Sequence, residues 1–183
     1  MGSNIIQTSG GGGGSVLLSS MTASASASID FEDVFSSEYT SYNIVLENVV
    51  PVVANTHFRA QLGSSGSTYL TGNINAQTSK NGAGGNFSGD VLYGVDYFPI
   101  AQKNGVDDEP GYGLSGLLTI TTPSNASTST ALNGMTGSPV ASSLIPVHHW
   151  VTGFSDVAST NTIKFYMSSG NISTGTIKIY GLL

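Results

Sequence analysis

The chain has 183 residues and only 16 charged side chains, five Lys or Arg against eleven Asp or Glu, for a net charge of −6. An average soluble domain of this length carries about 45 charges, and nearly half of this chain is Gly, Ser, Thr or Asn. That composition excludes long surface helices. The five scattered cations, Arg59, Lys80, Lys103, Lys164 and Lys178, form no basic stripe, so nucleic acid is not an expected partner. With no cysteine, disulfides, thiolate metal sites and thiol nucleophiles are excluded. No window approaches the roughly 20 apolar residues of a membrane span, and the N-terminus lacks a basic region leading into an apolar one, so the chain reads as soluble, unprocessed and without a membrane partner.

In chain order, the first feature is a run of five glycines, Gly10 to Gly14, between Asn4-Ile5-Ile6-Gln7 and Val16-Leu17-Leu18. Neither a helix nor a central strand tolerates such a run, because each Gly pays the full backbone entropy on ordering. Residues 1–27 are therefore expected to form a flexible Gly-rich N-terminal arm and linker, and residues 28–183 the folded domain. The arm is either a frayed terminus or a docking segment whose Ile5, Ile6, Val16, Leu17 and Leu18 add to a neighbouring subunit or mounting surface. Apolar residues favour docking, since solvated tails lack them. Residues 21–28 alternate small and polar, which suits a stiff lead-in or an edge strand.

From Ile29 the hydrophobic period becomes two, the mark of half-buried strands. The expected strands are 28–35, 42–50, 57–62, 68–74, 91–100, 114–122, 146–154, 163–168 and 176–182. Gly63-Ser64-Ser65-Gly66, Lys80-Asn81-Gly82-Ala83-Gly84-Gly85, Lys103-Asn104-Gly105 and Ser169-Gly170-Asn171 supply turn chemistry at their breaks. One helical turn is expected near residues 33–39. The stretches 77–90 and 122–144 read as long loops, which suit over-the-top connections better than an up-and-down barrel. No repeat of blade length marks a propeller. The fold expected is all-β, a jelly-roll-like antiparallel β-sandwich.

Chemistry is sparse. His57, His148 and His149 are the only bases that titrate near neutral pH, and no GxSxG elbow is present. His148 and His149 are adjacent in an expected strand and so point to opposite faces, which discourages a shared metal. No catalytic residue and no cofactor is expected. Asp107, Asp108 and Glu109 offer oxygens suited to Ca²⁺ but lack the EF-hand order, and a solvated acidic turn explains them as well. Tyr93, Tyr97, Phe98, Tyr112 and Trp150 could stack on sugar rings, or equally serve core or interface packing.

Two segments rise above composition. The first runs from Ile29-Asp30-Phe31 through Ser36-Ser37-Glu38-Tyr39-Thr40-Ser41-Tyr42-Asn43-Ile44-Val45-Leu46 to Asn48-Val49-Val50-Pro51. The second is Ser168-Ser169-Gly170-Asn171-Ile172-Ser173-Thr174-Gly175-Thr176-Ile177-Lys178-Ile179-Tyr180-Gly181-Leu182. Together they resemble a family of tailed-bacteriophage virion proteins found as decoration proteins and as tail-fibre or tail-tip domains. In that family a strand of the IDF type, a turn and a Y-x-x-Y-x-I-V strand open the domain, and G-x-I-x-x-G-T-I-K-I-Y-G-L closes it. The likeness covers roughly 40 residues. It implies a sandwich whose first and last strands lie close, a place on the virion surface, and no catalytic residues. The expected function is a capsid decoration or cement protein seated on the major capsid protein or other virion proteins. The alternative is a tail-tip module that binds host surface glycans through Tyr93, Tyr97, Tyr112 and Trp150. Such proteins commonly sit at threefold positions, so the resemblance also implies a homotrimer, against a general prior for cyclic dimers.

Overall fold

The computed structural model describes residues 14–64, 68–81, 87–139, 146–157 and 159–183. Period-two alternation dominates it: thirteen strands in two antiparallel sheets and, among the described residues, no helix. They are β1 (Ser15–Thr22), β2 (Ser28–Phe31), β3 (Ser41–Pro51), β4 (Thr56–Ser64), β5 (Thr68–Tyr69), β6 (Ile74–Asn81) and β7 (Phe87–Val95). After these come β8 (Phe98–Val106), β9 (Leu114–Thr121), β10 (Ser129–Pro139), β11 (Pro146–Val157), β12 (Thr162–Met167) and β13 (Ile172–Leu182). The large sheet has the order β1-β13-β3-β9-β10-β11-β6-β7; the small one has β2-β12-β4-β5, with β8 also paired to β4.

The two sheets pack as a sandwich because each turns one apolar row inward. Tyr42, Ile44 and Leu46 of β3, Leu118 and Ile120 of β9, and Ile177 and Ile179 of β13 are buried on the large sheet. Opposite them lie Phe58, Ala60 and Leu62 of β4 and Ile163 and Phe165 of β12. Phe165 stands edge-on to Phe31 at 6.1 Å and stacks on Phe58 at 5.9 Å, binding three strands of the small sheet through one ring. The turn from β2 to β3 is fixed by Tyr42, whose hydroxyl donates to the Ser36 carbonyl and accepts from the Ser36 N–H, both at 2.8 Å. The last strand, β13, pairs with β3, Ile177 opposite Leu46 and Ile179 opposite Ile44, whereas the Ile29-Asp30-Phe31 strand, β2, lies in the small sheet beside β12.

Several boundaries move. Residues 15–22 are an edge strand of the large sheet, with Val16 opposite Gly181 and Met21 opposite Ile177, so the folded domain starts at Ser15 rather than residue 28. The hydrogen-bonding edge of β13 supplies the reason: it needs a neighbour, and Val16 and Leu18 gain core contacts by taking that place. The expected helical turn at 33–39 is a set of non-helical turns. The supposed loop 77–90 instead carries β6 to Asn81 and β7 from Phe87, and 122–144 contains β10. The expected strand 91–100 is instead the end of β7 in the large sheet and the start of β8 in the small one, joined by a bend at 96–97 that carries the chain from one sheet to the other. At Lys103-Asn104-Gly105 the strand continues; Gly105, at φ +62°, lies where a Cβ would come within 2.3 Å of the Asn55 carbonyl carbon. Close approach, rather than a reversal, explains that glycine. Ile5, Ile6 and Gly10 to Gly13 lie outside the described residues.

Candidate functional site

Alternation gives each sheet an outer face as well as an inner one, and the two outer faces differ in chemistry. Across the large sheet, register aligns Lys178, Val45, Leu117, Met135, Trp150 and Ser79 in one row perpendicular to the strands. Leu117 and Met135 are 47% and 48% exposed. On the edge strand, Phe87 is 70% exposed and stacks on Trp150 with centroids 5.6 Å apart. His148 flanks Trp150 at 6.0 Å. The next row is Tyr180, Asn43, Thr119, Asn133, Thr152, Gln77 and Val91, uncharged throughout. Lys178 reaches Glu47 at 2.6 Å, and its pKa rises because the Glu47 carboxylate accepts its hydrogen bond.

The outer face of the small sheet instead gathers cations and tyrosines. Arg59 of β4 lies 4.0 Å from the centre of the Tyr97 ring, and Lys164 of β12 lies 3.8 Å from that of Tyr69 and 5.1 Å from that of Tyr166. The Tyr69 hydroxyl donates to Asp30. Burial and the Asp30 carboxylate together push the Tyr69 phenol upward, since both disfavour a phenolate. Tyr166 also rises, through burial above all, and His57 falls for the same reason with help from Arg59.

Between the sheets runs a polar row. Register sets Thr136 beside His149, His149 beside Lys80, and Lys80 beside Ser88. His149 is buried and neither ring nitrogen has a hydrogen-bond partner; the hydroxyls of Thr136 and Ser88 are likewise unbonded. Burial, then the neighbouring Lys80, lowers the His149 pKa to about 4, so the imidazole is neutral in the folded protein near pH 7.

The residues singled out from sequence do not converge. Trp150 and Tyr93 sit on strands of the large sheet, Tyr93 at 78% exposure, whereas Tyr97 covers Arg59 on the other side. Phe98 is wholly buried in the core, which removes it as a ligand contact. Tyr112 belongs to the turn before β9, its N–H donating to the Glu109 carbonyl. Asp107 accepts from the Asp108 N–H, and among the described residues no three His, Asp or Glu side chains gather as a metal site. Val16 and Leu18 pack on the chain's own core, so neither is free to dock elsewhere; Leu17, opposite Tyr180, is the one of the three that faces outward. His148 and His149 point to opposite faces of β11.

Sequence reasoning missed Phe87, Met135 and Leu117 as surface residues, and missed Arg59 and Lys164 as partners of tyrosines. For Phe87 the signal was present: Phe87, Gly89 and Val91 alternate with Ser88, Asp90 and Leu92. The cation pairs had none, because cross-strand register places them. The chain matches no protein-family model, no curated protein and no solved structure.

Proposed function

We propose that the chain is a non-enzymatic structural protein of a tailed-bacteriophage particle, a capsid decoration or cement protein held on the virion surface by the major capsid protein. The observation that carries this reading is the outer face of the large sheet, eight strands wide and apolar along its middle, with its charges, the paired Lys178 and Glu47 and Asp156 at the end of β11, away from that middle. Such a face serves contact between folded surfaces; a cleft for turnover needs converging polar groups instead. The resemblance adds the phage assignment, and its residues form β2, β3 and β13. Counting copies on purified particles by quantitative mass spectrometry, with antibody labelling in the microscope, tests it. Hundreds of copies spread over the shell are expected, and absence from the particle overturns the proposal.

A second reading rests on one contact. Phe87 stacked on Trp150, with Gln77, Ser79 and Thr152 on neighbouring outward positions, offers aromatic faces and hydrogen-bonding groups of the kind that hold a sugar ring. A handful of copies at the tail, with glycan binding lost in Trp150→Ala, would favour this reading over decoration.

A further inference from the structure

We infer that the outer face of the large sheet is covered by a second copy of this chain, packed sheet on sheet about a twofold axis. The inference rests on the reading of the molecule as a structural protein that works through contacts, and it names the partner of that face.

Three observations lead to a second copy. The first is area. Eight strands about 4.8 Å apart, each with four outward residues about 6.8 Å apart, make a face of about 34 Å by about 20 Å, or roughly 700 Å². That is about what each partner contributes to a stable interface. The second is charge. The face carries Lys178 and Glu47, joined to each other at 2.6 Å, and Asp156 at the far end of β11, off the middle of the strand order, so its middle rows present no charge for an unlike partner to complement and none to repel its own copy. The third is the position of the apolar row. Val45, Leu117, Met135 and Trp150 straddle the middle of the strand order, two on either side of the boundary between β9 and β10.

An axis running roughly along the strands at that boundary lays Leu117 on the partner's Met135 and Val45 on the partner's Trp150. It also sends each Lys178 towards the partner's Ser79 and away from its own symmetry mate. An axis along the row would set Lys178 against Lys178, so charge selects the first. Two sheets of the same handed twist stack with strands about 30° apart, the aligned packing of sandwiches, so the twist does not prevent contact. Face-to-face packing closes with two copies. The unit in solution is then a dimer rather than the trimer implied by the resemblance.

Light scattering on the full chain at 1 to 100 µM is the test. The expected mass is twice 18.7 kDa. Leu117→Glu and Met135→Lys should each weaken association by about 100-fold or more and run as monomers, with the wild-type circular dichroism spectrum. Mixed together they should recover the dimer, because the glutamate of one copy then meets the lysine of the other. Val52→Glu, on the exposed turn after β3, should leave the dimer intact. Trp150 is the single tryptophan, so its emission follows the unmodified chain on dilution and should shift to the red as the mass halves. A wild-type monomer at 100 µM, a trimer, variants that stay dimeric, a mixture that stays monomeric, or constant emission while the mass halves would each overturn the inference. A monomer found in hundreds of copies on particles would sink the dimer and leave the decoration role standing. A dimer missing from particles would do the reverse.

Discussion

The two outer faces of the sandwich are built by the same alternation yet handle charge in opposite ways. The large sheet exposes an apolar row and keeps the ion pair of Lys178 with Glu47 near one margin. The small sheet collects Arg59 and Lys164 and lays each against tyrosine rings. A chain with five cations therefore spends two of them on one face and leaves the middle of the other uncharged. The difference teaches where a contact between folded surfaces costs least: desolvating the large face strips water from few charges, whereas covering the small face would strand Arg59 and Lys164.

The sharpest way to break that contrast is to remove the ring on which the small sheet rests. Phe165→Ala leaves a cavity between Phe31 and Phe58 and should cost about 3–5 kcal/mol in urea unfolding. A cost below about 1 kcal/mol would show that the small sheet is held by other contacts.

Acid probes the inner side of the large sheet. The unfolded imidazole of His149 protonates near 6.5, the buried one only at about 4, so between these values the unfolded state binds more protons. Stability should fall as pH drops from 6.5 to about 4, by up to about 3 kcal/mol from this group, and the contribution should level off below. Equilibrium unfolding at pH 7.5 and 4.5 should show a smaller loss in His149→Leu than in the wild type. Equal losses would assign the acid sensitivity to carboxylates alone.

Whether β1 belongs to the large sheet decides how wide that face is. Leu18 is partly buried against the core, and Leu18→Ala should lower stability by about 1–2 kcal/mol. No change in the urea midpoint would detach β1 and narrow the face to seven strands.

The smallest effect belongs to the charged face. Lys164→Met should lose about 0.5–1 kcal/mol through its contact with Tyr69, measured as the coupling in a double-mutant cycle with Tyr69→Leu. Zero coupling would reduce the lysine–tyrosine pairing to mere proximity.

What the sequence alone determined was the class of fold and most of its strands. Low charge, scattered Gly and Asn, and period-two runs such as Ile177-Lys178-Ile179-Tyr180 leave little besides antiparallel strands packed as a sandwich, because inward and outward positions are written in the alternation itself. The strands it hid were those whose inward positions are not apolar. β10 turns Thr130, Gly134, Thr136 and Ser138 inward alongside Leu132, and β6 buries Thr78 and Lys80, so hydropathy read both as loops. β1 was hidden because glycines precede it and only the free edge of β13 makes it a strand. The faces themselves were decided by tertiary structure. Leu117, Met135 and Trp150 are separated by 18 and 15 residues, and Arg59 and Tyr97 by 38; strand order and register alone bring them together. Alternation fixes which side of a sheet a residue takes, but its neighbours on that side depend on which strands pair, and that is settled by packing of the whole core.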